Sequence, residues 1–172
     1  MDPMIDSFVN FIDKLNEWTG RFVSLWMIPM IAVMTFEVFM RYVVESPTIW
    51  GTEMVTYLFA SYVLLGGGYT LLYGDHVNIN IFYSRMRVRR RALFDSITAV
   101  IFFLYAWVLF HEGLKFALDG WIRNRHSGTD WNPPLYPVLM TLPIGAFLLL
   151  IQGAAKFVRD LLIVTTGKEP SK

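Results

Sequence analysis

The chain alternates between long apolar stretches and short polar segments. Four of the apolar stretches can cross a bilayer, whose hydrocarbon core of about 30 Å requires roughly 20 residues of α-helix. We predict these spans at about residues 22–44, 49–73, 92–118 and 135–164. Backbone groups in lipid must pair within their own segment, so we interpret the stretches as helices rather than as strands of a barrel.

The segment before the first span has a different pattern. Apolar residues recur there at spacings of three and four, with polar residues between them. This periodicity predicts an amphipathic helix at about residues 3–18 that lies in the membrane interface. The alternative is a solvated stem that merely extends the first span. We therefore predict an all-α integral membrane fold, with four transmembrane helices and an N-terminal amphipathic interfacial helix, as a single membrane domain over residues 1–172.

Composition agrees with lipid as the main solvent. Hydrophobic residues make up 55% of the chain and charged residues 17%, whereas soluble domains carry about 25% charged residues. The net charge of +1 argues against a nucleic-acid partner, and the absence of cysteine excludes thiolate chemistry and cysteine metal sites. No nucleophile stands beside a base, and no paired carboxylates flank a cleft. We expect no enzymatic activity and no cofactor.

The distribution of basic residues predicts the orientation. With four spans, both termini share one side with the loop between the second and third spans, and that side carries eleven of the fifteen Lys and Arg residues, against four on the other. Such a bias marks the cytoplasmic side, so both termini should be cytoplasmic. The strongest topology anchor, which would face anionic headgroups, is the cluster Arg85, Arg87, Arg89, Arg90 and Arg91.

The histidines raise one alternative function. A four-helix membrane protein could be the haem- or quinone-binding anchor of an oxidoreductase, which for haem requires facing histidines inside the helices. His76 and His111 fall at opposite membrane sides, however, and His126 falls in the outer loop. The pattern therefore disfavours a haem or metal site.

Acidic and basic residues gather at the outer end of the first two spans. Glu37 precedes Arg41 by four residues, one helical turn, and Glu53 opens the second span. A charge within a span is costly unless it is paired. Coupling-ion sites usually lie near mid-membrane, whereas these residues lie at the edge. We favour structural ion pairs or a subunit interface over an ion-coupling site.

Two features of the later spans suggest contacts between helices. Gly66, Gly67 and Gly68 follow one another in the second span, and small residues allow close helix packing in lipid, within the chain or against a partner. Gln152 is strongly polar and deep in the fourth span. We expect it to form an interhelical hydrogen bond rather than to bind a substrate.

A series of short motifs runs from the end of the first span into the following loop. The residues are Arg41, Tyr42, Ser46, Pro47, Trp50, Glu53, Tyr57, Leu58, Phe59, Gly66, Tyr69, Gly74, His76 and Val77, and a Pro-x-Gly step follows at Pro143 and Gly145. In order and spacing the chain resembles the small permease subunit, DctQ-like, of tripartite ATP-independent periplasmic (TRAP) transporters. It departs at Thr52, where members often carry a second acid.

The resemblance implies a function and a set of partners. Such a subunit would pair with a large permease subunit that carries the sodium and substrate sites. A periplasmic substrate-binding protein would deliver the substrate, usually an organic anion, to the complex. The small subunit would act as a scaffold in the bacterial inner membrane, in contact with membrane lipids. This expectation agrees with the lack of a visible ion path or catalytic set.

Overall fold

The computed structural model describes residues 3–73 and 88–166. These two ranges contain five helices: α1 (Pro3–Ser24), α2 (Met27–Tyr42), α3 (Gly51–Leu72), α4 (Val88–Ile122) and α5 (Tyr136–Thr166). The same ranges contain four helical segments that are long and apolar enough to cross a membrane, Ser7–Tyr42, Gly51–Leu72, Ile97–Ile122 and Tyr136–Thr165. The prediction of an all-α fold with four membrane-spanning helices is confirmed.

The N-terminal helix is longer than the predicted range of residues 3–18. Helix α1 continues to Ser24, and a turn at Leu25 and Trp26 separates it from α2. The break therefore falls inside the predicted first span, just before Pro29. Because Pro29 lies in the first turn of α2, its missing N–H removes no hydrogen bond from the helix, and the proline follows a break instead of kinking a helix.

The two faces of α1 do not separate cleanly into apolar and polar. Val9 and Ile12 are buried, but Phe8 and Phe11 are exposed on the other side and the polar Asn16 is buried. The helix is thus not clearly amphipathic, contrary to the sequence prediction. That it lies in the membrane interface stays a prediction.

The helices form a row with one helix across it. Helix α5 packs along both α3 and α4, α2 packs on α3, and α1 contacts both α3 and α5. The order along the row is α2, α3, α5, α4, so α2 and α4 are the edges. Burial is concentrated in α5, where Ala146, Leu148, Leu149 and Ala155 are among the core residues.

Small residues allow the central helices to approach closely. A Cβ atom built at Gly145 in α5 would overlap the backbone carbonyl of Leu64 in α3, with the carbonyl carbon at 2.7 Å. Such direct backbone contact is typical of helix packing in lipid. Helices there have no hydrophobic driving force between them, and small residues allow the close van der Waals packing that holds them together. Gly145, from the predicted Pro-x-Gly step, thus marks the crossing point of α3 and α5.

Two ordered reversals connect the helices at one end of the row. We call this end the outer end and the opposite end the inner end, after the orientation that the basic residues predict. Between α2 and α3, Glu45 adopts a φ of 55° and the Ser46 N–H donates to the Met40 carbonyl at 3.0 Å. Between α4 and α5, the chain forms a short hairpin in which Ser127 N–H donates to Pro133 O at 3.1 Å and Leu135 N–H donates to Arg125 O at 2.9 Å. These backbone bonds give both loops a defined shape.

Candidate functional site

The buried carboxylate of Glu37 organises the reversal between α2 and α3. Glu37 is 2% exposed and accepts hydrogen bonds from the Thr48 hydroxyl and, at 3.2 Å, from the Thr48 N–H. The Thr48 oxygen in turn accepts a 3.1 Å bond from the N–H of Gly51, the first residue of α3. Glu37 therefore links the end of one membrane helix to the start of the next.

Arg41 completes this group as an ion pair. Its guanidinium lies 2.7 Å from the Glu37 carboxylate, one helical turn away, while half of the Arg41 side chain stays exposed. Nearby, the rings of Phe36 and Trp50 stack at 6.3 Å between centroids. The arrangement leaves a cationic group on the surface with its counter-ion buried below it.

Glu53 lies in a separate polar group from Glu37 and Arg41, and its role at a subunit interface stays a prediction. It forms no ion pair among the described residues. Instead it accepts hydrogen bonds from the Tyr57 hydroxyl and, at 2.6 Å, from the Thr129 hydroxyl in the loop after α4. The first turn of α3 is thereby connected to the outer hairpin. No sequence pattern identified Thr129, which lies 76 positions away, as a partner of Glu53.

A second polar network joins α1 to α5. The Asn16 amide donates to the Gln152 side-chain oxygen at 2.8 Å, and the Gln152 amide donates to Asp13 at 2.9 Å. Asp13 also forms an ion pair with Arg159. Asn16 and Gln152 are both buried, next to an apolar cluster of Val9, Ile12 and Ala155. Gln152 thus makes an interhelical hydrogen bond.

Helix α1 also contacts the inner end of α3. The Tyr73 hydroxyl donates to Glu17 at 3.2 Å, and Arg21 lies 2.5 Å from the same carboxylate. A Cβ at Gly20 would overlap the Tyr69 ring, so α1 approaches α3 closely here.

The three successive glycines of α3 have different surroundings. A Cβ at Gly68 would overlap the Asn16 side chain and lie 3.3 Å from the Leu148 carbonyl. At Gly67 it would touch Leu149 at an ordinary 3.8 Å, and at Gly66 it would meet nothing within 4 Å. Gly68 alone of the three is a close packing point within the chain. Close packing of Gly66 and Gly67 against a partner stays a prediction.

The arginine cluster is described only in part. Arg85 and Arg87 lie outside the described residues, and Arg89, Arg90 and Arg91 fall in the first turns of α4, where the backbone alone is described. The anchor role of the cluster stays a prediction.

The histidines within the described ranges have local partners. The His111 Nδ1 lies 3.1 Å from Glu112 and the His126 Nδ1 lies 2.7 Å from the Asn124 carbonyl. His76 lies outside the described residues. Residues 3–73 and 88–166 contain no group of three or more potential metal ligands.

Most of the membrane-spanning part of the chain matches a known protein family. A family model described as "Tripartite ATP-independent periplasmic transporters, DctQ component" matches residues 30–162, more than three quarters of the chain. The chain belongs to this DctQ family. A comparison with curated proteins finds no match. The DctQ match starts within α2 and ends within α5, so it includes Glu37, Glu53 and Gln152 but begins after α1.

Membership of the DctQ family has direct consequences for function. It makes the chain a small subunit of a TRAP transporter, in a family that works with a large permease subunit and a periplasmic binding protein. A transporter-component family favours transport over the oxidoreductase alternative. The described polar groups are consistent with this, because they join helices and loops of the chain to one another.

Proposed function

We propose that this DctQ subunit is a static scaffold for the large permease subunit of a sodium-coupled, binding-protein-dependent transporter for organic anions. The sodium and substrate sites would belong to the large subunit. The chain would lie in the bacterial inner membrane with both termini in the cytoplasm, the orientation favoured by its basic residues.

One observation carries the scaffold proposal. Helix α1 crosses two membrane helices and is held to them by hydrogen bonds, an ion pair and close glycine contacts: Asp13 with Arg159, Asn16 with Gln152, Glu17 with Tyr73, and Gly20 with Tyr69. Interhelical polar bonds and small residues are the main forces that hold helices together in lipid. Such a cross-braced row suits an element that stays fixed while another subunit moves.

The outer polar groups support the same role. Glu37 and Glu53 each accept hydrogen bonds from their own helix and from a neighbouring loop, and both lie near helix ends. Coupling sites in secondary transporters usually lie near the midplane, on discontinuous helices. We infer that Glu37, Arg41 and Glu53 support folding and subunit assembly rather than ion coupling.

The direct test is transport with and without this subunit. Cells that lack the chain should lose uptake of the organic anion and regain it when the chain is supplied in trans. The large subunit should co-purify with the tagged chain from the membrane. Unchanged uptake after deletion would contradict the scaffold role, and uptake by this chain alone in liposomes would make it a transporter in its own right.

The sodium and anion assignments need their own measurement. Uptake by the complete reconstituted complex should require a sodium gradient and should be competed by unlabelled carboxylates. Charge-neutralising variants at Glu37 or Glu53 that assemble normally should keep the same sodium dependence. Loss of sodium coupling in an intact complex would place these residues in the coupling machinery instead.

A further inference from the structure

Helix α4 has two contrasting faces. One face carries small buried residues, Ala106, Gly113, Ala117 and Gly120, which pack against α5. The opposite face, which we call the α4 stripe, is exposed along its whole length. Its members are Ile97, Ile101, Leu104, Tyr105, Val108, His111, Glu112 and Lys115, spaced three, four or one apart. The stripe lies at one edge of the helix row.

Three polar residues interrupt the apolar surface of the α4 stripe. The Glu112 carboxylate accepts a 3.0 Å hydrogen bond from the Lys115 ammonium and lies 3.1 Å from His111 Nδ1. The His111 ring stacks on Trp107 at 6.5 Å between centroids. The three side chains are 52%, 61% and 60% exposed for His111, Glu112 and Lys115. Residues 3–73 and 88–166 therefore leave this polar triad largely uncovered.

Helix α5 indicates how deep the triad lies. Its uncharged segment from Tyr136 to Ala155 is about 30 Å long, the thickness of a bilayer core. Tyr136 pairs with Trp121 of α4 at 4.8 Å between ring centroids, and a Cβ at Gly113 would meet Leu142 at 2.9 Å. Leu142 is six residues, or about 9 Å, inward from Tyr136. The neighbouring Glu112 is therefore level with the hydrocarbon core.

The length of the apolar segment in α4 agrees with this depth. Only the fifteen residues from Ser96 to Phe110 are uncharged, which corresponds to about 22 Å of helix. A core of about 30 Å exceeds this length, so the charged positions that bound the segment cannot all lie outside the hydrocarbon. Lysine can extend its ammonium toward the interface, but the shorter carboxylate of Glu112 and the ring of His111 cannot.

Lipid is a poor environment for these groups. Charged side chains within the membrane almost always face protein or a water-filled cavity, because exposure to acyl chains is costly. The other edge of the row provides a comparison, since exposed residues of α2 such as Ile28, Ile31 and Val38 are apolar and suit lipid. The α4 stripe needs a protein cover, and the α2 edge does not.

We propose that the α4 stripe is the surface on which the large permease subunit docks. This inference rests on the proposed function, which supplies a large membrane partner. The partner surface should be apolar beside Ile101 and Val108 and should offer hydrogen-bonding side chains beside Glu112. A second copy of this chain fits less well, because a two-fold arrangement of parallel stripes would bring the two Glu112 carboxylates together.

A groove beside the triad gives the partner a further point of attachment. It lies between α4 and α5 and has a volume of 320 Å³. Its lining residues are Tyr105, Val108, Leu109, Glu112, Gly113, Phe116 and Leu142. Its walls are mainly apolar, with Glu112 as a polar member. A bulky side chain from the large subunit would fill this space while its neighbours reach the triad.

Single-cysteine cross-linking tests the docking face, because the chain has no cysteine of its own. The variants Tyr105→Cys and Val108→Cys place a thiol on the α4 stripe, and Ile31→Cys is the control on α2. Each is co-expressed with the large subunit, labelled in membranes with a maleimide-benzophenone and irradiated. We expect the two stripe variants to cross-link to the large subunit. We expect Ile31→Cys to form no cross-link to it. A cross-link to the large subunit from Ile31→Cys alone, or from the stripe only to a second copy of this chain or to lipid, would overturn the inference.

A charge-removal variant provides the second measurement. Glu112→Leu combined with Lys115→Leu should cause loss of the large subunit from affinity-purified complex, while the isolated chain unfolds at the wild-type temperature. If lipid covered the stripe, the large subunit would still co-purify with the same variant. That result would contradict the assignment of the stripe as the docking face. Co-purification of the large subunit with the wild-type chain separates the two ideas: if it succeeds, only the docking face is at stake, and if it fails, the proposed function fails as well.

Discussion

The side-chain amide of Asn16 in α1 donates a 2.8 Å hydrogen bond to the side-chain oxygen of Gln152 in α5. Both residues are buried, and 136 positions of sequence separate them. The same Asn16 amide also donates to the Ile12 carbonyl at 3.2 Å, so its two protons are both used. This bond fixes where α1 crosses the helix row, since it has one partner on each helix.

A double-mutant cycle should detect this bond. We expect Asn16→Ala and Gln152→Ala each to destabilise the chain, with a coupling of about 1 kcal/mol between them, the usual size for interhelical hydrogen bonds in membranes. The stability of the wild type, the two single variants and the double variant is measured by thermal unfolding in detergent. The fluorescence of the six tryptophans follows the transition. Strictly additive effects would mean that the two amides do not interact.

Two glycines provide a matched test of helix packing. Gly145→Ala should destabilise the chain by about 1–3 kcal/mol, as expected for an overpacked contact, because the added methyl would meet the Leu64 backbone, which cannot rotate away. Gly66→Ala adds the same methyl in open space and should be neutral or slightly stabilising. The same unfolding assay applies. Equal losses at the two sites would contradict the close approach of α3 and α5.

The sequence predicted the helices better than their contacts. The four spans could be predicted because an uncharged apolar stretch of about 20 residues usually forms a transmembrane helix. Helix rotation is not encoded so directly: Gly66 and Gly68 look alike in sequence, yet only Gly68 meets Asn16. The break at Leu25 and Trp26 was also missed, because both residues are apolar and hydropathy continues through them.

Polar partners distant in sequence were likewise hidden. The pairing of Glu37 with Arg41 follows from their spacing of four residues. Glu53 shares the outer end of the row, but its donor Thr129 comes from a loop whose path depends on the packed helices. Gln152 was recognisable as a residue that forms an interhelical hydrogen bond, whereas no sequence pattern identified Asn16 as the donor to its side-chain oxygen.

Glu37 and Arg41 should differ in importance although they form one ion pair. Replacing Glu37 by Leu leaves the Thr48 N–H and hydroxyl without their acceptor in a buried place, so the melting temperature should fall clearly. Replacing Arg41 by Leu removes a half-exposed group, so it should lower the melting temperature less. A larger effect at Arg41 than at Glu37 would show that the ion pair, rather than the Thr48 bonds, holds the reversal.

The outer hairpin should loosen when its bond to Glu53 is removed. Thr129→Val deletes the hydroxyl that donates to Glu53 and also the acceptor of the Asn132 N–H. We expect faster amide hydrogen exchange over residues 127–132, with unchanged exchange in the central part of α5. Thr52→Val is the matched control, since Thr52 is exposed beside Glu53. Unchanged exchange in Thr129→Val would mean that the backbone bonds alone order the hairpin.

The ion pair between Asp13 and Arg159 allows a test of whether the cross-brace matters for assembly. Asp13→Arg places two cations together and Arg159→Asp places two anions together, so each single variant should detach α1 from α5. The double variant restores an opposite pair in reversed order. We expect each single variant to lower recovery of the large subunit and the double variant to recover much of it, as coupling between contacting charges requires. Quantitative immunoblotting of the purified complex measures this. If the singles reduce recovery and the double does not restore it, charge pairing is not the cause, and if neither single reduces recovery, the scaffold does not depend on α1.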